Sequence, residues 1–359
     1  MATRDIVVIG GSAGSVGPLK QILKSLPADF PASVFVVLHV ADDSPGFLDE
    51  PLADWSPLPV SHPMDRERIR PGHVYFAPPG YHLTVEDGAV RVQRGPRENR
   101  HRPAIDPLFR TAARDFGSRA IGVILSGQND DGSAGLYAVK QRGGVAIVQD
   151  PRDAAAGEMP RRALEYASPH YILRSEDIAR NLVQLVNADK GETVMSNKNR
   201  NPEIRKEKGS FGNNEPDGNL RTAYVEESEG TPSVFACPEC HGTLWELKDD
   251  TLVRFRCRVG HSYGMQSLAN ELSESAETAL WAAMRALEEK AAMERRIAEG
   301  LDQTHMAARM RDQSMADDAN ARVIRDIIFQ RNVESEKAET EKTEAEKPET
   351  DESEPGKAA

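Results

Sequence analysis

Short apolar runs rich in Val and Ile recur along the first half of the chain, and helix-like stretches separate them. Uninterrupted apolar runs are typical of strands buried on both faces, which occur mainly in parallel sheets. The sequence therefore predicts an α/β fold with a mainly parallel, doubly wound sheet over residues 1–188. Strands are predicted at 5–10, 33–39, 120–126 and 144–149, and helices at 15–26, 106–117, 132–142 and 175–188. Pro-Gly and Asp-Gly turns within 73–95 predict inserted β-hairpins.

The second half of the chain divides into four segments of different composition. Residues 189–232 are rich in Asn, Gly, Lys and Glu and predict a flexible linker. Residues 233–264 contain all the cysteines and predict a small zinc-ribbon-like module. An apolar stripe over 265–330 predicts helices that pack on each other or on a partner. Residues 331–359 carry ten acidic residues and predict a disordered acidic tail.

Composition excludes several classes of protein. The formal net charge of −12 argues against a general nucleic-acid binder. The sequence contains no apolar run long enough to span a membrane and begins without the pattern of a signal peptide, so a cytoplasmic protein is expected. All three cysteines lie within residues 237–257, which favours a metal site over disulfides.

A glycine-rich pentad, GGSAG at residues 10–14, follows the first predicted strand. A serine in such a strand-to-helix turn can be exposed as a nucleophile, which makes Ser12 the candidate. The pentad lacks the lysine of a Walker loop, and Ser12 replaces the first glycine of a dinucleotide fingerprint. An altered anion or nucleotide site remains an alternative, because a helix N-terminus attracts anions.

A nucleophilic serine needs a base and an orienting carboxylate. His39 ends the second predicted strand, and Asp131 follows the strand over 120–126. The carboxyl ends of parallel strands meet at one edge of a sheet, so Ser12, His39 and Asp131 are expected there together. Asp130 is an alternative acid, and Asp131 could instead cap the next helix. Rival bases are His62, His73, His82, His101 and His170.

Six stretches carry a family resemblance: VVIGGSAGSVGPLK, VVLHV, RPGHVYFAPPGYHL, GPRENRHRPAIDPLF, GVILSGQNDDGSAGL and GEMPRRAL. Residues 4–188 resemble the catalytic domain of CheB-type protein-glutamate methylesterases of bacterial chemotaxis. The resemblance implies a triad of Ser12, His39 and Asp131 that needs no catalytic cofactor. It also implies a methylated chemoreceptor or related signalling protein as substrate, with deamidation of receptor glutamines as a second activity.

The chain departs from the family pattern in three respects. Ala13 stands where many members have threonine, and Gln128 where they have methionine. The resembling segment begins near residue 1, so we expect no receiver domain before it and regulation by a separate protein.

Arg100 and Arg102 could position an acidic receptor helix or have only structural roles. Two alternative functions are a non-catalytic adaptor that binds partners through the C-terminal modules and a nucleotide-binding regulator.

The spacing of Cys237, Cys240, Cys257 and His261 is that of a tetrahedral zinc site. All four positions would be filled by protein ligands, which indicates one structural zinc ion rather than a catalytic one. His241 is a less suitable ligand because it directly follows Cys240. Without a metal, so short a segment would have little core to hold it folded.

Overall fold

The structure is a computed structural model that describes residues 4–39, 52–188, 230–249, 252–301 and 305–345. It divides into two units, Met1–Asn270 and Glu271–Ala359. The first unit therefore contains both the α/β domain and the cysteine-containing segment. Most of the predicted linker and residues 346–359 of the predicted tail lie outside the described residues.

The main sheet has seven strands in the order β3-β4-β2-β1-β7-β8-β9, and every neighbouring pair is parallel. A separate antiparallel hairpin consists of β5 and β6. The strands are β1 Ile6–Gly11, β2 Ser33–Leu38, β3 Val60–Ser61, β4 Val74–Phe76, β5 His82–Glu86, β6 Ala89–Gln93, β7 Ala120–Ile124, β8 Val145–Gln149 and β9 Tyr171–Leu173.

Helices cover both faces of this sheet. They are α1 Val16–Lys24, α2 Ile105–Phe116, α3 Ser133–Gln141, α4 Glu158–Ala167 and α5 Ser175–Asn187. One apolar core contains side chains of α1 and α5, and the other contains side chains of α2, α3 and α4. Burial on both faces explains the continuous apolar runs of the strands. The predicted doubly wound α/β fold is confirmed.

Two features of the α/β domain differ from the sequence prediction. The sequence predicts Val74–Phe76 within an inserted hairpin, but this segment forms β4 and pairs in parallel with β2. A three-residue run is too short for its periodicity to separate the two kinds of strand. The sequence does not predict β3, β9 or α4. Helix α4 carries Pro160 in its first turn, where proline is tolerated although it breaks the interior of a helix.

The cysteine-containing segment forms a four-stranded antiparallel sheet in the order β10-β11-β12-β13. Its strands are β10 Thr231–Ala236, β11 Thr243–Asp249, β12 Leu252–Cys257 and β13 Ser262–Gly264. Helix α6, Met265–Gly300, begins directly after β13. The segment over residues 233–264 is called the CCCH module below.

In the second unit, α6 continues and is followed by α7, His305–Ala345. Ion pairs join the two helices: Lys290 with Asp317 at 2.7 Å, Arg295 with Asp318 at 2.5 Å, and Glu288 with Arg325. Ser273 bonds Arg331 at 3.2 Å near one end of the pair, and Arg295 bonds Ser314 at 2.9 Å near the other. A later position in α6 thus meets an earlier one in α7, so the helices are antiparallel and pack as a hairpin. Helix α7 extends into residues 331–345, which the sequence predicts as part of the disordered tail.

None of the helices that the structure describes is both long enough and apolar enough to span a membrane.

Replacing a core leucine tests the packing of α2 on the sheet. Leu108 is fully buried, so Leu108→Ala should lower the free energy of unfolding by about 2–5 kcal/mol. Ile172→Ala is the control, because Ile172 is 53% exposed and its loss should cost less than about 1 kcal/mol. Urea unfolding followed by circular dichroism measures both. Equal losses would contradict the placement of α2.

Candidate active site and CCCH cluster

Ser12 and His39 follow neighbouring strands at the same edge of the sheet. Gly11 pairs with Leu38 in the register of β1 and β2, and His39 N–H donates to the Gly11 carbonyl at 3.2 Å. Ser12 N–H donates to the Ser126 carbonyl at 2.9 Å, which ties the serine to the loop after β7. The structure therefore brings the candidate nucleophile and base to one sheet edge.

Hydrogen bonds from two serine hydroxyls fix the turn that carries Ser12. Gly14 has φ +74°, a conformation that favours glycine. The Ser126 hydroxyl donates to the Ala13 carbonyl at 2.7 Å, and the Ser15 hydroxyl donates to the Ser12 carbonyl at 2.5 Å. Ser12 itself is only partly buried and Ala13 is exposed, so the serine lies at a fixed bend with access to solvent.

His39 and Asp131 form a buried pair. His39 Nε2 lies 2.7 Å from Asp131 Oδ2, and the two side chains are 4% and 0% exposed. His39 Nδ1 is buried and has no hydrogen-bond partner among the described residues. When the imidazole donates from Nε2 to Asp131 and carries no second proton, Nδ1 is available as an acceptor. Ser12 is not hydrogen-bonded to this nitrogen in the structure.

The ring of His101 stacks on the ring of His39. The centroids of His39 and His101 are 3.5 Å apart and their planes are inclined by 10°. Burial and the neighbouring His39 lower the pKa of His101 to about 3, and nearby Arg100 and Arg97 act in the same direction. His101 is therefore neutral near pH 7 and restricts the orientation of the His39 ring.

Asp131 accepts hydrogen bonds on both carboxylate oxygens. Oδ2 accepts from His39 and from Ile105 N–H at 2.6 Å. Oδ1 accepts from the Asn99 side-chain amide at 2.9 Å, Gly132 N–H at 3.0 Å and Asp106 N–H at 3.2 Å. Burial alone would raise the pKa of Asp131, but the hydrogen bond from His39 and the Ile105 amide lower it below its ordinary value. The carboxylate therefore stays ionised inside the protein.

Asp106 is a second buried carboxyl beside Asp131. Burial and the Asp131 charge raise the pKa of Asp106 to about 7, although Arg110 and the Gly135 amide act in the opposite direction. Two adjacent buried carboxyls cannot both ionise easily, so one holds its proton to higher pH. The structure assigns the ionised form to Asp131.

Asp130, the alternative acid, lies at the first turn of α6. It accepts from Gln266 N–H at 3.2 Å and from the Ser267 hydroxyl. Burial raises the pKa of Asp130, and these hydrogen bonds oppose the shift. Asp130 thus caps a helix, whereas its neighbour contacts His39.

The rival histidines have other partners. His82 uses both ring nitrogens, with Pro96 O at 2.8 Å and Ala104 N at 3.3 Å. His73, His62 and His170 have partners in Ser61, Phe76 and Ala146, respectively. Arg102 donates to the carbonyls of Gly80 and Gly95 at 2.8 and 2.9 Å, which favours its structural role.

Cys237, Cys240, Cys257 and His261 form a cluster, called the CCCH cluster below. Their ligand atoms all lie within 4.8 Å of one another. Cys240 Sγ is 3.6 Å from Cys257 Sγ, and His261 Nδ1 is 3.5 Å from Cys257 Sγ and 3.6 Å from Cys237 Sγ. A tetrahedral zinc ion with bonds of about 2.0–2.3 Å separates its ligands by roughly 3.3–3.8 Å. The cluster is compatible with a metal.

Glu239 supports the histidine of this cluster. Its Oε2 lies 3.2 Å from His261 Nε2, the nitrogen that points away from the cysteines. A carboxylate in this position fixes the ring and its tautomer, as beside many metal-ligating histidines. Tyr263 O–H in turn lies 3.5 Å from Glu239 Oε1.

Comparisons with known proteins identify the α/β domain. The sequence profile of the CheB methylesterase family matches residues 7–182. A protein-glutamate methylesterase/protein-glutamine glutaminase of Leptospira interrogans is 40% identical over 182 residues, which are 50% of this chain and 94% of that relative. The chain belongs to the CheB methylesterase family. The predicted family resemblance is confirmed for this half of the chain.

Other family members are longer than the matched segment. A protein-glutamate methylesterase/protein-glutamine glutaminase of Anaeromyxobacter dehalogenans is 38% identical over 181 residues, 50% of this chain and 53% of the relative. One of Xanthomonas campestris is 38% identical over 187 residues and is covered to 52%. The crystal structure of the Thermotoga maritima CheB methylesterase catalytic domain aligns with a TM-score of 0.49 at 34% identity, covering 52% of this chain and 100% of that one.

The sequence does not predict the residues that hold the Asp131 carboxylate in place. Asn99, Ile105 and Asp106 contact Asp131 from a different part of the chain, and no spacing rule predicts such contacts. One signal lies in the polar stretch NRHRP at residues 99–103, where the arginines indicate carboxylate binding and His101 is a rival base, but no pattern distinguishes Asn99.

The raised pKa of Asp106 predicts a dependence of stability on pH. Its folded-state pKa of about 7 lies above the ordinary 3.8, so the folded state binds the extra proton between these values. The contribution of Asp106 to the free energy of unfolding therefore falls as pH rises from about 4 to about 7. In Asp106→Asn this free energy should decrease less between about pH 5 and about pH 8 than in the unmodified protein.

Urea unfolding at both pH values measures this difference. The control is Asp29→Asn, because Asp29 is exposed and its replacement should leave the pH dependence unchanged. Parallel curves for the unmodified protein and Asp106→Asn would contradict a raised pKa for Asp106.

Proposed function

We propose that this chain is a serine-dependent protein-glutamate methylesterase with Ser12 as nucleophile, His39 as base and Asp131 as orienting acid. The observation that carries the proposal is the buried His39 ring, which has one nitrogen on Asp131 and the other without a partner among the described residues. The His39 backbone bonds Gly11, the residue directly before Ser12. A base held in this way is ready to accept a hydroxyl proton. Family membership supports the same reaction.

The proposed reaction begins with proton transfer from the Ser12 hydroxyl to His39 Nδ1. The Ser12 oxygen attacks the glutamyl ester carbonyl, and Asp131 stabilises the imidazolium. His39 then protonates the leaving methoxide, so methanol departs and an acyl-enzyme remains. Water attacks this ester with His39 as base, and the glutamate carboxylate and free serine are released. The hydrogen bond from the Ser12 hydroxyl to Nδ1 would form in the substrate complex, since catalytic hydrogen bonds are often long or poorly aligned in apo active sites.

The developing oxyanion needs hydrogen-bond donors beside Ser12. We assign the backbone N–H groups near Ala13 and the Gln128 loop to this role, because the Ser12–Ser126 and Ala13–Ser126 hydrogen bonds hold the two loops together. Ala13 and Gln128 are both exposed, so substrate can reach them. Such a donor contributes about 3–4 kcal/mol in enzymes that stabilise an oxyanion.

The substrate proposed is a methylated glutamate on a chemoreceptor or related signalling protein. The relatives from Leptospira and Anaeromyxobacter carry the names of both a glutamate methylesterase and a glutamine glutaminase. The same triad could hydrolyse a glutamine amide with ammonia as the leaving group. A cytoplasmic location agrees with the three free cysteines, because reducing compartments keep thiols unpaired.

Replacing the nucleophile tests this function. Ser12→Ala and His39→Ala should each lower methanol release from a methylated receptor cytoplasmic fragment by at least about 1,000-fold, because each removes a group required for acyl transfer. The matched control is Ser25→Ala, since Ser25 is exposed and its hydroxyl donates to the Gln21 carbonyl of α1 at 2.8 Å. Full activity in Ser12→Ala would overturn the assignment.

We propose further that the CCCH cluster binds one structural zinc ion. Four protein ligands would complete a tetrahedral shell, which leaves no position for substrate. Glu239 would accept a hydrogen bond from His261, and ligation would connect the ends of β10, β12 and β13. The ion would thus contribute folding energy to the module and take no part in ester hydrolysis.

Metal analysis of purified protein tests the zinc site. About one zinc ion per chain is expected, and Cys240→Ser should reduce this value strongly, because it removes one thiolate of four. His241→Asn is the matched control: His241 lies next to Cys240 but outside the cluster, and Asn tolerates its φ of +59°. Zinc loss in His241→Asn, or none in Cys240→Ser, would contradict the ligand set.

A further inference from the structure

The last strand of the CCCH module lies against the loop that precedes α2. Asn99 N–H donates to the Ser262 carbonyl at 2.8 Å. Gly264 N–H donates to Asn99 Oδ1 at 2.7 Å. Both contacts join β13 to a residue of the α/β domain, and all three residues belong to the first unit.

Asn99 also contacts the proposed catalytic acid. Its side-chain amide nitrogen donates to Asp131 Oδ1 at 2.9 Å and to Asp106 Oδ2 at 3.1 Å. Asn99 is 3% exposed, and its φ of +49° is in the left-handed region, which Asn tolerates better than most residues. The Asn99 side-chain oxygen thus accepts a hydrogen bond from the module, and the side-chain nitrogen donates to two buried carboxyl groups.

A second contact joins the module to the loop that carries Asp131. Asp130 caps the first turn of α6 through Gln266 and Ser267. Gly264 approaches Asp130 so closely that a Cβ atom would lie 2.8 Å from Asp130 Cγ and nearer still to Oδ2. Only glycine allows β13 and the start of α6 to fit against this loop without displacement.

The CCCH cluster includes the residue directly before β13. His261 directly precedes β13, and Cys257 N–H donates to the His261 carbonyl at 3.0 Å. β13 also pairs with β12, with Arg256 opposite Ser262. Ligation of Cys257 and His261 would therefore fix the backbone that contacts Asn99.

We propose that Asn99 is a positioning residue through which the CCCH module orders the catalytic acid Asp131. The module holds the Asn99 carbonyl group through Gly264, and the same amide orients Asp131 toward His39. This role rests on the proposed triad. It makes the module part of the support of the active site instead of an independent appendage.

Three variants test the contact of Asn99 with Gly264 and its contact with Asp131 separately. Asn99→Gly keeps the φ and the backbone bond to Ser262 but removes the amide. Asn99→Asp keeps an acceptor for Gly264 and loses the donor to Asp131. Gly264→Ala displaces β13 without changing Asn99, Asp131 or any cluster ligand. Val234→Ala is the control within the module, because Val234 is 94% exposed.

Ester hydrolysis of a small glutamate methyl ester is the first measurement. Each of the three variants should lower kcat about 10- to 100-fold with little change in KM, as expected when a buried charged group loses one hydrogen bond. Val234→Ala should retain full activity. The double variant with Asn99→Gly and Gly264→Ala should lose no more than the worse single variant, because both changes break one connection.

The pH profile distinguishes a positioning role from general damage to the fold. In Asn99→Asp the new carboxyl can donate a hydrogen bond to Asp131 only when protonated. The ratio of Asn99→Asp activity to unmodified activity should therefore rise as pH falls, whereas the ratio for Asn99→Gly should stay constant. Zinc content should be unchanged in all three variants.

The proton shared by His39 and Asp131 provides a readout that does not depend on catalysis. It should give a low-field signal in the proton NMR spectrum that disappears in His39→Gln. Asn99→Gly and Gly264→Ala should shift or broaden it, and Val234→Ala should not. If the unmodified protein has no esterase activity but this signal responds, the proposed function fails and the positioning role stands. An unchanged signal and unchanged kcat in Asn99→Gly and Gly264→Ala, or additive losses in the double variant, would overturn the proposal.

Discussion

The Asp131 carboxylate is the group on which the geometry of the site depends. It is fully buried and accepts from His39, Asn99 and three backbone N–H groups, those of Ile105, Asp106 and Gly132. A buried charge is tolerated only when hydrogen bonds replace its hydration. The donors must come from several directions, so the carboxylate joins the loop after β7, the start of α2 and the end of β2. Its requirement for donors accounts for the convergence of these segments.

The same requirement explains how two adjacent carboxyls divide their roles. Asp131 accepts hydrogen bonds from the His39 ring and from amide groups and stays ionised. Asp106 is buried next to this charge, and both the burial and the charge raise its pKa. Asn99 donates to both, so its amide lies between the group that stays charged and the group that holds a proton. A site with two charged carboxyls would repel itself and would not hold His39 in one orientation.

The sequence predicted the strand-end residues because their position follows from topology alone. Parallel strands present their carboxyl ends at one edge, so Ser12, His39 and Asp131 could be placed together from three apolar runs. The strands and helices around them were located within about two residues, as expected for strongly patterned segments. Short elements such as β3 and β9 have too few residues to show a period. The contacts of Asn99 depend on tertiary packing, which no local pattern encodes.

The CCCH module was expected to follow a linker as a separate domain, and its spacing gave no sign of where it would pack. Its last strand leads directly from His261 to Gly264 and α6, so a cluster that fixes His261 also limits the positions open to Gly264. Asn99 and Asp130 each contact this short segment, and each adjoins Asp131 by hydrogen bond or by sequence. A displacement of β13 would therefore alter the surroundings of Asp131 through both Asn99 and Asp130. A separately folded module on a flexible linker would have neither of these contacts.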